Sequence, residues 1–360
     1  MNMRQLIEKT NRFVFTCDVL RICEPRLSLF NSQGVNLDTI INIFGHSVKK
    51  FGKEVVSISG NENNKELRRS FYVTNKIEPT VDNWAKIFTG EGFSDTVDSL
   101  LNKYFYPEDF VFGFELPPYL KAFFNRKNIL FLDIKIHPVR YLRDYMFCFY
   151  SNYQPLNKKL ETYAIDELEF YHAANLLAAQ FRRNMSEDII KMERGNNIVF
   201  FGQLLGDAQL ISKKGPVQLG DIIEVLNLLA SQYETCYFKP HPFFKTPFLM
   251  NKLKNCCPDV VIIDHNAYQL LSSCIENFAA MSSGTIYEAK YFNKHASWYL
   301  NGFVEDRYYG EYYIPILDST FERNFIKSIF GVEELGTDYR QLKSYSYTPL
   351  KDILGIKWGR

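Results

Sequence analysis

Short runs that are apolar throughout alternate along this chain with longer segments whose apolar residues recur every three to four positions. From about Asn196 the alternation is regular. Runs at Ile198 to Phe201, Thr235 to Phe238, Val260 to Ile263, Phe278 to Ala280 and Ala296 to Leu300 predict strands. Between them, Asp221 to Ser231 places Ile222, Val225, Leu226 and Leu229 on one stripe, and Ala267 to Cys274 is a shorter segment of the same kind. Strands that are apolar on both faces and alternate with helices predict a parallel sheet covered on both sides.

The N-terminal half is less regular but similar in kind. Phe13 to Phe15, Val55 to Ile58, Phe110 to Phe114 and Ile129 to Leu132 predict buried strands, and the polar stretch Asn61 to Leu67 predicts a loop. A long helix is predicted over Asp166 to Arg183, with Leu168, Tyr171, Ala174, Ala178 and Phe181 at helical spacing. The polar segment Asn184 to Asn197 then reads as a linker. The expected fold class is α/β: two Rossmann-like domains, over 1–190 and 191–335, with a tail over 336–360 that packs back on the first domain. Two doubly wound domains joined this way would face each other across a cleft, with ligands at the carboxyl ends of the strands.

Composition narrows the function. The 360 residues suffice for two domains with their own cores, and 23% charged against 46% apolar residues is a globular balance. A formal net charge of +1 gives no electrostatic reason to expect nucleic acid. The 16% aromatic residues are spread through the chain, so they are expected in core packing more than in a carbohydrate platform. Seven cysteines (Cys17, Cys23, Cys148, Cys236, Cys256, Cys257, Cys274) lack the paired spacing of a zinc site, which points to buried, reduced thiols of a cytoplasmic protein. The stretch Met1 to Leu6 lacks the apolar core of a signal peptide, and no run approaches the roughly 20 apolar residues of a membrane span.

Chemistry concentrates at predicted strand ends. The strand at Thr235 runs into Lys239-Pro240-His241-Pro242, where a lysine and an imidazole two residues apart can neutralise a phosphate; the alternative is a simple strand terminator. The strand at Phe278 runs into Ser282-Ser283-Gly284-Thr285, which opens a predicted helix and offers hydroxyls and free amides to an anion. Thr285 and Glu288 also fit a capping box, a use of Glu288 that competes with binding ribose hydroxyls. After the first strand of the second domain come Gln203 and Asp207. Asp207 can serve as a nucleophile toward an anomeric carbon or as a base, or can belong to a Gly206-Asp207 turn. In the first domain Glu115 is a general acid or base, or a helix cap. His137 and Arg140 would hold an acidic substrate, or His137-Pro138 only ends a strand.

Taken together, Gln-x-x-x-Asp at 203–207, Lys-Pro-His-Pro at 239–242 and Ser-Ser-Gly-Thr with Glu288 resemble the bacterial retaining β-Kdo transferases of capsule and O-antigen assembly. The His-Pro and Ser-Ser elements are also similar to those of CMP-sialic acid transferases. The resemblance spans roughly Phe200 to Phe292 and extends weakly to Phe-Glu-Leu-Pro and Ile-His-Pro in the first domain. It implies a GT-B fold, CMP-Kdo as donor without a metal, and a glycan acceptor, oligosaccharide or lipid-linked. Asp207 would be the nucleophile that forms the glycosyl adduct, and Gln203 would orient Asp207 or the sugar. Lys239, His241, Pro242, Ser282, Ser283, Gly284 and Thr285 would surround the CMP phosphate, Glu288 would hold the ribose, and Glu115 would act at the acceptor. The enzyme would lie in the cytoplasm, with peripheral association at the membrane or with other glycosyltransferases left open. A sialyltransferase, a CDP-glycerol polyol-phosphate transferase and a silent nucleotide-binding scaffold are the competing expectations.

Overall fold

A computed structural model of the chain describes residues 2–22, 32–59, 65–90, 93–212, 214–242, 247–300, 313–317, 320, 324–332, 348 and 350–352. Packing divides it into two compact units. Unit 1 comprises Met1–His137, Asp144–Ile165 and Glu311–Arg360; unit 2 comprises Pro138–Arg143 and Asp166–Gly310. Each is a mixed α/β body built on a largely or wholly parallel sheet. Among the described residues no helix is long and apolar enough to cross a membrane.

In unit 1 the strands are β1 (Arg12–Thr16), β2 (Glu54–Ile58), β3 (Asp109–Phe114), β4 (Leu130–Ile136), β5 (Phe147–Ser151) and β13 (Ile314–Ile316). They are ordered β13-β5-β4-β3-β1-β2, parallel from β2 to β4, with β5 and β13 added antiparallel. β3 is buried at every position, whereas edge strand β2 is buried only at Ile58, as expected for a central and an outer strand. Its helices are α1 (Met3–Lys9), α2 (Ser32–Lys49), α3 (Lys65–Thr74), α4 (Val81–Thr89), α5 (Ser94–Leu101), α6 (Pro118–Arg126), α7 (Gln154–Glu161) and α14 (Phe325–Ile329). The aromatic surplus is spent largely here. Phe13, Phe110 and Phe112 meet Phe330 edge-on or tilted at 5.2 to 6.3 Å, and Phe15 stacks on Phe112 at 5.0 Å.

Unit 2 carries β6 (Asn197–Phe201), a two-stranded hairpin β7 (Ile211–Ser212) and β8 (Gly215–Pro216), then β9 (Thr235–Lys239), β10 (Val260–Ile262), β11 (Asn277–Ala280) and β12 (His295–Trp298). The main sheet is entirely parallel in the order β10-β9-β6-β11-β12. Its helices are α8 (Glu167–Arg182), α9 (Glu187–Met192), α10 (Leu219–Gln232), α11 (Pro247–Cys256), α12 (Ala267–Ser272) and α13 (Gly284–Ala289).

The strands expected from apolar runs lie within a residue or two of where the pattern puts them, except β4, which runs on four residues past the expected end at Leu132 to Ile136. The expected linker differs: Asn184 to Asn197 contains α9, capped by Ser186 and anchored by buried Ile189 and Met192. The chain instead passes between units at Ile165/Asp166, so α8 belongs to unit 2, and the short segment Pro138–Arg143 belongs to unit 2 although both flanks belong to unit 1. A polar stretch of this length can form a helix once two apolar residues at helical spacing find a surface. Of the cysteines, Cys17, Cys148, Cys236 and Cys257 are buried, but Cys256 and Cys274 are exposed, contrary to the expectation of burial; Cys23 lies outside the described residues. Burial pushes the Cys236 thiol up to about 12, as an inert core thiol should behave.

The C-terminal segment enters the core of unit 1. Leu350 is fully buried among α2, β1, β3 and β5 residues, and the backbone N–H groups of Leu350 and Lys351 donate to the Asp144 carboxylate at 3.0 and 2.7 Å. Leu350→Ala should therefore cost about 2–5 kcal/mol and lower the urea midpoint of unfolding. An unchanged midpoint would show that this docking contributes little.

Candidate active site

The three motifs at the unit 2 strand ends leave the sheet side by side. β9, β6 and β11 are neighbours, and their last residues lie in one row: Phe201 pairs with Lys239 on one side and with Ala280 on the other. Three strands span about 10 Å. The segments that follow, Pro240-His241-Pro242, Gly202 to Asp207 and Met281 to Thr285, all emerge at the carboxyl edge. Strand order reverses at β6, because the chain first adds β9 and β10 on one side and then β11 and β12 on the other. Right-handed crossovers put the two sets of helices on opposite faces, so a crevice opens between β6 and β11, the usual ligand position in such sheets.

At this switch point the ends of β6 and β11 are joined by a pair of side chains. Gln203 Oε1 accepts from the Ser282 N–H at 2.7 Å, and Gln203 Nε2 donates to Ser282 Oγ at 3.0 Å. Ser282 Oγ in turn donates to the Gln209 carbonyl at 2.8 Å, and Ser282 is wholly buried. Gln203 and Ser282 thus hold the frame, where the expectation had Ser282 on the phosphate and Gln203 against Asp207 or the sugar. A buried polar pair must satisfy itself locally. Gly202 lets the frame close: a Cβ there would stand 2.8 Å from Phe238 Cζ, while its N–H donates to the Lys239 carbonyl at 2.8 Å.

Ser283, Gly284 and Thr285 are part-exposed beside this frame. Ser283 is the N-cap of α13, its Oγ accepting from the Thr285 N–H at 3.3 Å. The Thr285/Glu288 capping box does not form. Lys239 is half-buried at the end of β9, with His241 part-exposed and Pro242 exposed just beyond. Asp207 follows Gly206, whose φ of 85° is left-handed, and caps a 3-10 turn over Ala208–Leu210 through Oδ1, which accepts from the Gln209 N–H at 3.1 Å. Among the described residues no partner takes Oδ2. The turn and the part-exposed carboxylate are therefore the same feature.

Glu288 is buried, not open to a ribose. Its Oε1 accepts from the Arg140 N–H at 2.6 Å and from the Tyr268 hydroxyl at 3.0 Å. This is the pin that holds Pro138–Arg143 in unit 2; Tyr141 adds a hydrogen bond to the Phe170 carbonyl and edge contacts to Tyr268 and Phe292. His137 is buried at the end of β4 in unit 1, its N–H on the Met146 carbonyl, and Arg140 belongs to unit 2.

Glu115 follows β3 in unit 1. Its φ of 50° is left-handed, a conformation that costs a non-glycine residue on the order of 1–2 kcal/mol. The bend is held by the Glu115 N–H on the Ile134 carbonyl and the Leu116 N–H on Asp133 Oδ1, both 2.9 Å, with Asp133 paired to Lys121 at 2.7 Å. It needs Gly113, where a Cβ would stand 2.1 Å from Leu116 Cγ. The helix-cap alternative for Glu115 fails, since Pro117 holds the N-cap position of α6. Sequence reasoning missed Gln33, whose Nε2 donates to Glu115 Oε2 at 3.2 Å, and Asp18, a buried carboxylate bonded by Tyr119 and Trp84. Nothing in their sequence neighbourhoods marks either residue.

Among the described residues no group of three or more His, Cys, Asp or Glu could hold a metal ion. No protein-family model matches the chain. No curated protein matches it either. Among solved structures it is similar to Thermosulfurimonas dismutans KpsC, a β-Kdo 2,7-transferase, with a TM-score of 0.37 and 14% identity over 78% of this chain and 76% of that one. At that identity and TM-score the likeness assigns neither family nor activity.

Burial pushes the Glu288 carboxyl up to about 7, against the pull of the Arg140 N–H, the Tyr268 hydroxyl and the Arg140 charge. A carboxyl whose pKa is raised on folding binds more protons folded than unfolded, so it lowers stability as pH rises from about 4.5 through 7. Glu288→Gln keeps an acceptor for both donors and removes that penalty. The variant should match the wild type near pH 4 and exceed it at pH 8 by on the order of 3 kcal/mol. Parallel stability-versus-pH curves from urea unfolding would refute this.

Proposed function

We propose that this chain is a glycosyltransferase that moves Kdo from CMP-Kdo to a glycan acceptor of a bacterial surface polysaccharide, with retention through an adduct on Asp207. The observation that supports the reading is the row Ala280–Phe201–Lys239 across three adjacent parallel strands, which sends three polar motifs from one sheet edge. A cation and an imidazole on one side, a hydroxyl-rich helix start on the other and a carboxylate between them suit a phosphate ester of a sugar.

In this reading Lys239 and His241 neutralise the departing CMP, with Pro242 setting the loop, and Ser283, Gly284 and Thr285 hold its oxygens. Gln203 and Ser282 keep the two strand ends at fixed spacing. The bond from the anomeric carbon to the phosphate oxygen breaks with its electron pair leaving on CMP, while Asp207 Oδ2 forms the adduct on the opposite face. The acceptor oxygen then displaces Asp207, and two inversions give retention. Glu115 is the carboxylate proposed for the acceptor's proton. No metal is called for, since lysine, imidazole and backbone donors can carry the leaving-group charge.

Calorimetric titration with CMP, CDP and UDP checks the donor. CMP should bind tightest, and His241→Ala should weaken it by about tenfold or more, the worth of one hydrogen bond to a charged group. Preference for CDP would turn the reading toward polyol-phosphate transfer, and undiminished CMP affinity in the variant would remove His241 from the phosphate.

Asp207→Asn tests the reaction itself. The variant should retain CMP affinity and lose transfer by several orders of magnitude. Intact-protein mass spectrometry of the wild type with CMP-Kdo alone should show one added Kdo mapping to Asp207. Near-normal turnover in Asp207→Asn would leave that residue as a turn cap only.

A further inference from the structure

Unit 1 has its own strand reversal. The order β2-β1-β3-β4 places the first strand between the second and the third, so the crevice opens outside the carboxyl ends of β1 and β3. Glu115 stands at the end of β3 and Asp18 two residues beyond the end of β1. One side chain spans them: Gln33, buried in the first turn of α2, accepts the Asp18 N–H on Oε1 at 3.3 Å and donates from Nε2 to Glu115 Oε2 at 3.2 Å.

The orientation of that carboxamide is determined by its partners. An N–H must meet an acceptor, so Oε1 faces the Asp18 N–H, and the amide nitrogen is left pointing at the Glu115 carboxylate. The far end of the chain of contacts is rigid. Asp18 Oδ1 takes the Tyr119 hydroxyl at 2.8 Å and the Leu20 N–H at 3.2 Å, Oδ2 takes the Trp84 indole N–H at 2.9 Å, and Trp84 is fully buried. Gln33 is thus locked at both ends, and Glu115 is presented part-exposed from a backbone conformation that a glycine would adopt more easily. A strained carboxylate, held by a dedicated donor at the switch point of a parallel sheet, is arranged for chemistry more than for folding.

We propose that Gln33 is a positioning residue that keeps Glu115 ionised and aimed at a hydroxyl of the acceptor sugar. The proposal rests on the acceptor role of Glu115 given above. In the second half of the transfer the acceptor O–H bond breaks, its proton passes to a Glu115 oxygen, and its electron pair forms the bond to the anomeric carbon as the departing carboxylate regains its own pair. A neutral Glu115 cannot take that proton. The donated N–H of Gln33 favours the ionised form, beside other ionisable groups of this network: Asp18 and Arg21 beyond β1, Tyr72 on α3, Asp133 on β4, and Lys121 and Tyr119 on α6.

The test is a titration of Glu115 by carboxyl-carbon NMR in glutamate-labelled full-length protein, its resonance assigned by loss in Glu115→Gln. Gln33→Met has nearly the same shape without the donor, and should raise the Glu115 midpoint by about one pH unit. Gln33→Glu retains an acceptor for the Asp18 N–H, places a second carboxyl against the first, and should raise it further. A residue that merely fills space would not produce this order, and one midpoint shared by all three proteins overturns the proposal. Because Gln33→Glu keeps the Asp18 bond, the result does not depend on the Met variant folding. The titration needs no donor sugar, so a wild type that fails to bind CMP while Glu115 moves in this order would overturn the transferase reading alone.

Discussion

Both sheets depend on one kind of contact, a buried glutamine carboxamide that spans the place where strand order reverses. Parallel neighbours at a reversal send their following helices to opposite faces, so their carboxyl ends lose shared cover and expose unpaired backbone donors. In unit 2 Gln203 takes the Ser282 N–H and returns a hydrogen to Ser282 Oγ. In unit 1 Gln33 takes the Asp18 N–H and gives its hydrogen to Glu115. The same group satisfies the backbone in each case. What differs is the second partner, a hydroxyl that ends in the frame in unit 2 and a carboxylate that faces outward in unit 1.

Burial of polar groups follows the same logic elsewhere. Glu288, with its carboxyl desolvated and bonded to Arg140 N–H and the Tyr268 hydroxyl, secures the segment Pro138–Arg143. Asp144, immediately after that segment, receives the N–H groups of Leu350 and Lys351 and so secures the C-terminal turn in unit 1. Each carboxylate is placed where an irregular stretch of chain would otherwise leave donors unmet, and each costs desolvation that two or more hydrogen bonds offset. These contacts account for the crossings at 137/138 and 143/144.

The strands were legible because their signal is local. Asn197–Phe201 is buried at all five positions and β11 at three of four, and a run with no polar face can only be an interior strand or a buried helix, which its length decides. That Lys239, Asp207 and Ser283 leave one edge also follows from sequence, once the strands are parallel, because each motif sits directly after its strand. The antiparallel additions β5 and β13 were not legible. The first is separated from β4 by the irregular segment that crosses to unit 2, and the second is only three residues long.

By itself the sequence determined the class of fold, the positions of the parallel strands and the edge at which the polar motifs gather. Only the tertiary structure decided which of those polar residues face outward. Ser282 and Ser283 are equivalent as letters, yet one is wholly buried against Gln203, 79 positions earlier, and the other is the part-exposed cap of α13. Glu288 looks like a ligand-facing carboxylate until Arg140, 148 positions away, covers it, and Gln33 carries no mark at all until Glu115, 82 positions on, meets its amide. The physical reason is one of range. Apolar periodicity is set by the backbone repeat within a few residues, whereas the fate of a polar side chain depends on whether a partner from a distant element can replace the water it loses.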